Sequence, residues 1–184
     1  MNSEKICFIS IDNVLSDLNM QVLNMSGKNI KGLQNKKPLS FEEEQALYTS
    51  EKLKNFSEMF WRTMPVKYDA HKLLDYCAKK YDKIKIISKY EPPISLPYRL
   101  LYVREAKIRW VMQHFSDYVD IDDIIVSKYN KTNFMEKDKV NILIDHNYNE
   151  VQNWRKNDGI GILYFDYQQF EMLSRIQPYR YNGR

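Results

Sequence analysis

Five short apolar runs, rich in β-branched residues, constrain the fold of this chain more than any other feature. They are nearly continuous rather than alternating, which is typical of strands that are covered on both faces of a sheet. The runs are Ile6–Ile11, Lys83–Ser88, Asp123–Val126, Val140–Asp145 and Gly159–Phe165. Helical patterns lie between them. Because strands that alternate with helices form parallel sheets, the sequence predicts a mostly parallel α/β sheet with helices on both faces.

Two of the intervening segments carry apolar stripes at helical spacing. The first stripe consists of Ala70, Leu73, Leu74, Cys77 and Tyr81. The second consists of Ile108, Val111, Met112 and Phe115. Asp69 directly precedes the first stripe, and aspartate is a favoured N-cap residue. We therefore predict two amphipathic helices and a cap at Asp69.

The stretch between Asp17 and Pro65 interrupts this rhythm, because it contains no convincing strand. Ser40 and Glu43 form a capping box, which marks the start of a helix. Ser50 begins a second predicted helix, whose apolar positions are Leu53, Phe56, Phe60 and Met64. A polar, basic loop precedes both. The stretch is therefore predicted to be a helical insertion.

A chain of 184 residues suits one domain with a modest insertion. We predict that residues 17–64 form a small helical cap, inserted after the first strand and seated over the carboxyl edge of the sheet. Residues 1–16 and 65–170 would form the core, and residues 171–184 a basic tail.

The charge of the chain is mildly basic, with a net charge of +4. This permits weak attraction to nucleic acid without requiring it. The candidate nucleic-acid contacts lie in the basic loop and the tail: Lys28, Lys31, Lys36, Lys37, Arg175 and Arg180. A solvated basic surface is the simpler alternative. The bias toward Lys, Asn, Ile and Tyr is typical of an AT-rich genome such as that of a phage, for which host DNA or the host transcription machinery would be a partner.

Cysteine usage and the N-terminus bear on the cellular compartment. Cys7 and Cys77 fall in apolar periodic segments, which predicts buried free thiols in a reducing compartment rather than a disulfide framework. The N-terminus lacks a signal-peptide pattern, and no apolar run approaches the length of a membrane span. We expect a cytoplasmic protein, in the host cytoplasm if it is viral, with no membrane partner.

Polar side chains collect at the carboxyl ends of the apolar runs, where parallel α/β sheets place their working residues. They are Ser10, Asp12, Asp17, Ser88, Asp145 and His146, with Lys107 on the helix before the third run. Carboxylates suit Mg²⁺, and serine and lysine suit phosphate oxygens, so the set predicts a magnesium and phosphate site. Three alternatives stay open: Asp17 caps the next helix, Ser88 is a satisfied strand-end hydroxyl, and Lys107 is solvated.

Five short motifs occur in a specific order along the chain. They are "SIDNVLSD" at Ser10–Asp17, "KIIS" at Lys85–Ser88, "AKIRWV" at Ala106–Val111, "NKT" at Asn130–Thr132 and "LIDH" at Leu143–His146. Their order and spacing resemble those of the haloacid dehalogenase superfamily, and within it the 5'(3')-deoxyribonucleotidases. The corresponding family motifs are Asp-x-Asp-Gly-Val-Leu-Ala-Asp, a strand ending in Thr or Ser, "EKYxWV", "DKT" and "LIDD". The resemblance covers about residues 6–165.

This resemblance implies a Rossmann-type haloacid dehalogenase fold and Mg²⁺-dependent phosphoryl transfer through a phosphoaspartate. Ser10 stands at the position of the nucleophile. Asp12 would be the general acid and base, and Ser88 and Lys107 would hold the phosphate. Asp145 would be the carboxylate ligand of the metal, and Asp12 would add its backbone carbonyl.

Three residues depart from the family pattern. Ser10 replaces the nucleophilic aspartate, which is also a metal ligand in the family. Asn13 replaces a glycine, although asparagine tolerates left-handed backbone. His146 replaces the second acid of the last motif. We therefore expect weakened Mg²⁺ binding and little catalysis, since losing a covalent nucleophile typically costs on the order of 10⁴ to 10⁶ in rate.

Two functions follow. The first is a catalytically degenerate, nucleotidase-like pseudophosphatase that acts by binding a protein, nucleic-acid or nucleotide partner. The alternative is a Mg²⁺-dependent phosphatase or 5'-nucleotidase acting on (deoxy)nucleoside monophosphates. In that case Ser10 itself would attack only with the help of a nearby base or of strong activation by the metal. Asp12 is a weak base for a serine, and His146 would serve if it turned inward.

Overall fold

The sheet contains five strands, all parallel, in the order β3-β2-β1-β4-β5. The computed structural model of the chain describes residues 3–25, 58–90 and 99–175, without the side chains of 23–25, 99–101 and 172–175. The strands are β1 (Lys5–Ser10), β2 (Lys83–Lys89), β3 (Ile124–Ser127), β4 (Val140–Asp145) and β5 (Ile160–Leu163). The predicted parallel sheet is confirmed, and β1 lies at its centre.

Six helices accompany the sheet in the described part of the chain. They are α1 (Leu18–Met25), α2 (Glu58–Arg62), α3 (Ala70–Lys80), α4 (Arg99–Phe115), α5 (Tyr148–Lys156) and α6 (Tyr167–Arg175). Two short 3₁₀ turns, Ile121–Asp123 and Lys131–Phe134, flank β3. Both predicted amphipathic helices are confirmed, as α3 and α4. None of the described helices is both long and apolar enough to cross a membrane.

The two faces of the sheet carry two separate apolar cores, because successive side chains of a strand point to opposite sides. On one face, Cys7 and Ile9 of β1 belong to the larger core, which also includes the buried apolar residues of α3 and Trp110, Val111 and Phe115 of α4. On the other face, Phe8 packs against Trp154 of α5, with ring centroids 5.1 Å apart. Cys7 and Cys77 are buried and free, as predicted. Coverage on both faces explains why the strands read as nearly continuous apolar runs.

Asp69 stands at the N-cap position of α3, but the prediction that its side chain caps this helix was wrong. The carboxylate makes no capping hydrogen bond. Its Oδ2 instead accepts hydrogen bonds from the Tyr164 hydroxyl at 2.8 Å and from the Tyr167 backbone N–H at 2.6 Å. Since both donors follow β5 in the chain, Asp69 ties the start of α3 to the start of α6.

Only the two ends of the predicted cap belong to the described residues. The Gln21 side chain donates to the Phe60 carbonyl and to the Thr63 hydroxyl, both at 3.0 Å, so α1 and α2 are held together. The Ser40–Glu43 capping box and the start of a helix at Ser50 lie outside the described residues. So do the side chains of the predicted nucleic-acid contacts Lys28, Lys31, Lys36, Lys37, Arg175 and Arg180. The division into core, cap and tail stays a prediction.

Candidate functional site

The turn after β1 brings the first motif to the carboxyl edge at the centre of the sheet. The Ile11 carbonyl accepts hydrogen bonds from the N–H groups of Leu15 and Ser16, at 3.0 and 2.9 Å, which folds the chain back on itself. Asn13 adopts a φ of 56°, the left-handed region in which asparagine is tolerated. Lys67 Nζ donates to the Asn13 carbonyl at 3.1 Å and fixes the turn from outside.

Asp17 caps the helix that follows it, which was one of the three alternatives left open by the sequence. Its Oδ1 accepts a hydrogen bond from the Met20 N–H at 2.9 Å. This is the contact by which an N-cap carboxylate satisfies a free donor of the first helical turn. Asp17 therefore stabilises the start of α1.

Asp12, Ser88 and Lys107 meet in one hydrogen-bonded group, which we name the Asp12 cluster. Lys107 Nζ lies 2.8 and 2.6 Å from the two Asp12 carboxylate oxygens and 2.9 Å from Ser88 Oγ. The Ser88 hydroxyl donates to Asp12 Oδ2 at 3.0 Å. The Trp61 ring of α2 covers the ammonium, with its centroid 4.5 Å from Nζ. The structure therefore brings together three residues that the sequence placed at this site.

Burial decides between the alternatives for Lys107 and Ser88. Each residue is only 1% exposed, so the interpretation of Lys107 as a solvated surface lysine was wrong. Burial lowers the pKa of Lys107, and the neighbouring Asp12 carboxylate opposes this shift. The alternative that Ser88 is a satisfied strand-end hydroxyl is consistent with its hydrogen bond to Asp12. Ser88 also contacts Lys107, the lysine that would hold a phosphate.

A second group forms around Asp145 at the end of β4, and we name it the Asp145 cluster. Lys131 Nζ lies 2.5 Å from Asp145 Oδ2 and 3.0 Å from Ser10 Oγ. Asp145 Oδ1 accepts the Asn147 N–H at 2.9 Å. Burial raises the pKa of Asp145, but the charge of Lys131 and the contact with His146 outweigh it. The pKa of this carboxyl therefore lies well below its usual range.

Lys131 was not among the predicted site residues. It belongs to the 3₁₀ turn after β3 and is 5% exposed. The available signal was the "NKT" motif, which contributed to the resemblance but carried no assigned role. A single lysine in a polar turn has no periodicity that reveals its burial. Its contact with Ser10, 121 positions away, appears only in the folded chain.

The suggestion that His146 is the base for Ser10 finds no support in these contacts. His146 Nδ1 lies 3.4 Å from Asp145 Oδ1, and its Nε2 lies 3.4 Å from Asn13 Nδ2. The Ser10 hydroxyl instead accepts a hydrogen bond from the Lys131 ammonium, which is paired with Asp145. Since an ammonium has no lone pair to accept a proton, Lys131 in this state cannot activate Ser10.

The residues of the Asp145 cluster do not fit the magnesium ion that the family resemblance implies. Mg²⁺ prefers several oxygen ligands, carboxylates foremost. Ser10 supplies a neutral hydroxyl where a carboxylate would be needed, and the Asp145 carboxylate is paired with Lys131. Within residues 3–25, 58–90 and 99–175, no group of three His, Cys, Asp or Glu side chains could hold a metal ion.

The depressed pKa of Asp145 predicts an acid-sensitive stability. A carboxyl whose pKa is lower in the folded state than in the unfolded state stabilises the fold at pH values above its ordinary pKa of 3.8. This contribution is lost as the pH falls below that value. We expect the unfolding temperature to drop more steeply below about pH 4 for the native chain than for a Lys131→Met/Asp145→Asn double variant. Thermal unfolding between pH 7 and pH 2.5 measures this. Parallel pH profiles for the two proteins would contradict the prediction.

Comparison with known proteins places the fold. No protein-family model matches the sequence, and a search of curated proteins finds no match. A hydrolase from Streptococcus pneumoniae TIGR4 is similar in structure, with a TM-score of 0.53 and 10% sequence identity over 94% of this chain and 98% of that one. A haloacid dehalogenase-like hydrolase from Streptococcus pneumoniae has a TM-score of 0.50 and 14% identity over 96% of this chain and 100% of that one.

A third neighbour is a magnesium complex of a haloacid dehalogenase family enzyme from Bacteroides thetaiotaomicron. Its TM-score is 0.47 at 13% identity, over 95% of this chain and 100% of that one. The likeness to the two streptococcal hydrolases is one of fold, because the identities are low. With its five parallel strands and its helices, this chain therefore has a haloacid dehalogenase-like, Rossmann-type α/β fold.

Proposed function

We propose that this chain is a catalytically degenerate phosphatase-fold protein that binds a phosphate-bearing partner, a nucleotide in the first instance, without hydrolysing it. The observation that carries the proposal is the environment of Ser10. Its hydroxyl stands where the resemblance places a nucleophilic carboxylate, and it contacts the Lys131 ammonium at 3.0 Å.

The chemistry of Ser10 argues against turnover. A serine hydroxyl becomes nucleophilic only beside a base or a strongly activating metal. Lys131 Nζ donates a hydrogen bond to the Ser10 hydroxyl and is paired with the Asp145 carboxylate, so this contact removes no proton from Ser10. The missing nucleophile outweighs what general acid help from Asp12 could supply, because such help is worth roughly 10² to 10⁴ and needs a bond-breaking step to assist.

The Asp12 cluster supports the binding half of the proposal. Lys107 and Ser88 offer an ammonium and a hydroxyl, which are the groups that hold phosphate oxygens in proteins. An incoming phosphate must compete with Asp12 for the Lys107 ammonium, so we expect modest affinity. Trp61 lies beside this lysine, and its indole Nε1–H is buried without a hydrogen-bond partner among the described residues. It therefore provides an aromatic surface at the edge of the site.

One experiment measures binding and hydrolysis together. Deoxynucleoside monophosphates are titrated against the protein with Mg²⁺ present, tryptophan fluorescence is recorded, and released phosphate is assayed in the same samples. Trp110 and Trp154 are fully buried and hydrogen-bonded, so a fluorescence change reports on Trp61. We expect saturable quenching with no phosphate release. The quenching should weaken at least about tenfold in Lys107→Met, because a charge-assisted hydrogen bond is lost.

Lys128→Met is the matched control, since Lys128 is an exposed lysine that contacts the Tyr129 ring. It should bind as the native protein does. An aryl phosphate serves as a second, generic substrate. Phosphate release that disappears in Asp12→Ala or Asp145→Ala would refute the proposal, and so would an absence of any binding.

The second candidate function is a Mg²⁺-dependent nucleotidase acting on (deoxy)nucleoside monophosphates. The intact hydrogen bonds of the Asp12 cluster favour it, because a site under no functional demand need not keep these three residues in contact. The same contacts also hold the strand ends together, which explains them without catalysis. Turnover that requires Mg²⁺ in the assay above would select this candidate.

A protein or nucleic-acid partner, such as host DNA or the transcription machinery of a phage host, stays a prediction from composition. The basic residues that motivated it have side chains outside the described part of the chain. Electrophoretic mobility shifts at two salt concentrations distinguish electrostatic nucleic-acid binding, because that binding weakens as salt increases.

A further inference from the structure

We infer that Lys67 is a positioning residue, whose ammonium holds the turn that carries Asp12 in the conformation that binds phosphate. It does so by joining this turn to the loop between β5 and α6. The effect of Lys67 on nucleotide binding rests on the proposed function. Its effect on the turn does not, and it is tested without any ligand.

The first argument is the set of contacts that the Lys67 ammonium makes. Its Nζ donates hydrogen bonds to the Asn13 carbonyl at 3.1 Å and to the Phe165 carbonyl at 2.6 Å, and these residues lie 54 and 98 positions away in the chain. Nζ also lies 4.8 Å from the centroid of the Tyr164 ring, which is a cation–π contact. One side chain therefore joins the turn after β1 to the loop after β5.

The second argument is that the backbone around Lys67 is bound to the same turn. The Lys67 N–H donates to the Leu15 carbonyl at 2.9 Å, and the Asp17 N–H donates to the Pro65 carbonyl at 2.8 Å. These two hydrogen bonds belong to a short antiparallel bridge between the two segments. The ammonium therefore reaches the Asn13 carbonyl from a fixed backbone, and its position relative to the turn is set.

The third argument is the cost of placing a charge here. Lys67 is half-buried, and its partners in the described part of the chain are two carbonyls and a ring rather than a carboxylate. Burial lowers the pKa of this lysine, while the charges of Asp69, Asp17 and Asp166 oppose the shift. Such an ammonium adds little to the net stability of the fold, because its desolvation offsets the hydrogen bonds that it donates. Its contacts are better explained by the conformation that they impose on the turn.

The conformation of the turn matters because Asp12 directly precedes Asn13. Asn13 has a φ of 56°, a left-handed conformation that costs free energy even for asparagine, so the turn needs contacts that hold it there. Release of the Asn13 carbonyl would let the Asp12 backbone move. The Asp12 carboxylate would then shift relative to Lys107 and Ser88, which are the groups proposed to hold phosphate.

The test compares the native protein with Lys67→Met, which keeps much of the side-chain volume and removes the ammonium. Amide hydrogen exchange is followed by mass spectrometry without ligand. Exchange should become at least about fivefold faster in peptides that cover residues 11–17 and 163–167, because both carbonyl contacts are lost. Exchange in residues 83–89, which form β2, should stay the same.

Two further measurements separate positioning from a purely structural role. The unfolding temperature of Lys67→Met should differ from that of the native protein by less than about 3 °C, since the cost of burying the charge disappears with the hydrogen bonds. In the fluorescence titration, the affinity for deoxynucleoside monophosphates should fall about 3- to 30-fold. Lys67→Gln, which is polar and suits a half-buried site, gives the same comparison if the methionine variant does not fold.

Lys80→Met is the matched control, because Lys80 also lies over a tyrosine ring but at the far end of α3. Its Nζ is 4.9 Å from the centroid of the Tyr76 ring. This variant should leave both the hydrogen exchange of the two peptides and the nucleotide affinity unchanged.

The inference is overturned if Lys67→Met exchanges as slowly as the native protein in both peptides. It is also overturned if exchange accelerates while the nucleotide affinity stays the same, because Lys67 would then stabilise the turn without positioning the site. An absence of nucleotide binding in the native protein would refute the proposed function, and the exchange comparison alone would then decide this inference.

Discussion

Replacing Ser10 by aspartate should turn the chain into a Mg²⁺-dependent phosphatase. The new carboxylate would lie beside Lys131 and opposite Asp145, and one ammonium cannot balance two carboxylates, so the site should then recruit a divalent cation. It would also supply the missing nucleophile next to a phosphate group held by Lys107 and Ser88. Because a covalent nucleophile is typically worth on the order of 10⁴ to 10⁶ in rate, we expect a gain of at least about 10²-fold even with His146 unchanged.

The measurement is phosphate release from deoxynucleoside monophosphates by Ser10→Asp and by the native protein, with Mg²⁺ and with EDTA. Ser10→Asn is the matched control, since it adds a side chain of the same size without the charge and should show no gain. Asp12→Asn in the Ser10→Asp background should abolish most of the gained activity, because the acid and base would be lost. A folded Ser10→Asp protein that binds Mg²⁺ but gains less than tenfold would show that the Asp12 cluster persists for structural reasons.

The parallel sheet was predictable because the physics that forms it is visible locally. Strands covered on both faces need apolar residues at nearly every position, and β1 with β4 have them. The ends of all five strands match their predicted runs to within two residues. The Asp12 cluster was predictable for a related reason. Ser88 is the second-last residue of β2 and Asp12 follows the end of the neighbouring strand, so parallel topology alone brings their side chains to one edge of the sheet.

The Asp145 cluster was only half predictable. Asp145 ends a strand and was assigned to the site, whereas Lys131 lies in a short turn whose residues follow no period. Its role depends on a long-range ion pair with Asp145, and the short NKT motif around it does not identify that partner. Asp69 is a second residue whose contacts could not be predicted from local sequence. Local sequence predicts a cap there, but two donors from beyond β5 take its carboxylate, which is a tertiary effect.

Replacing Lys131 by methionine should produce the largest loss of stability among substitutions at this site. Methionine preserves much of the side-chain volume but leaves the Asp145 carboxylate buried without its cation. Removing one partner of a buried ion pair costs about 3–5 kcal/mol, because the remaining charge stays desolvated. We therefore expect the free energy of unfolding to fall by about 3–5 kcal/mol in Lys131→Met, measured by urea denaturation at pH 7.

A second substitution separates the cost of the unpaired charge from the cost of lost packing. Asp145→Asn in the Lys131→Met background removes that charge, and the free energy of unfolding should recover by at least about 2 kcal/mol, since neutral replacements of buried pairs are far better tolerated than broken ones. Lys128→Met should change it by less than about 0.5 kcal/mol, as expected for an exposed site. Equal losses in the single and double variants would mean that Lys131 stabilises the fold through packing rather than through its charge.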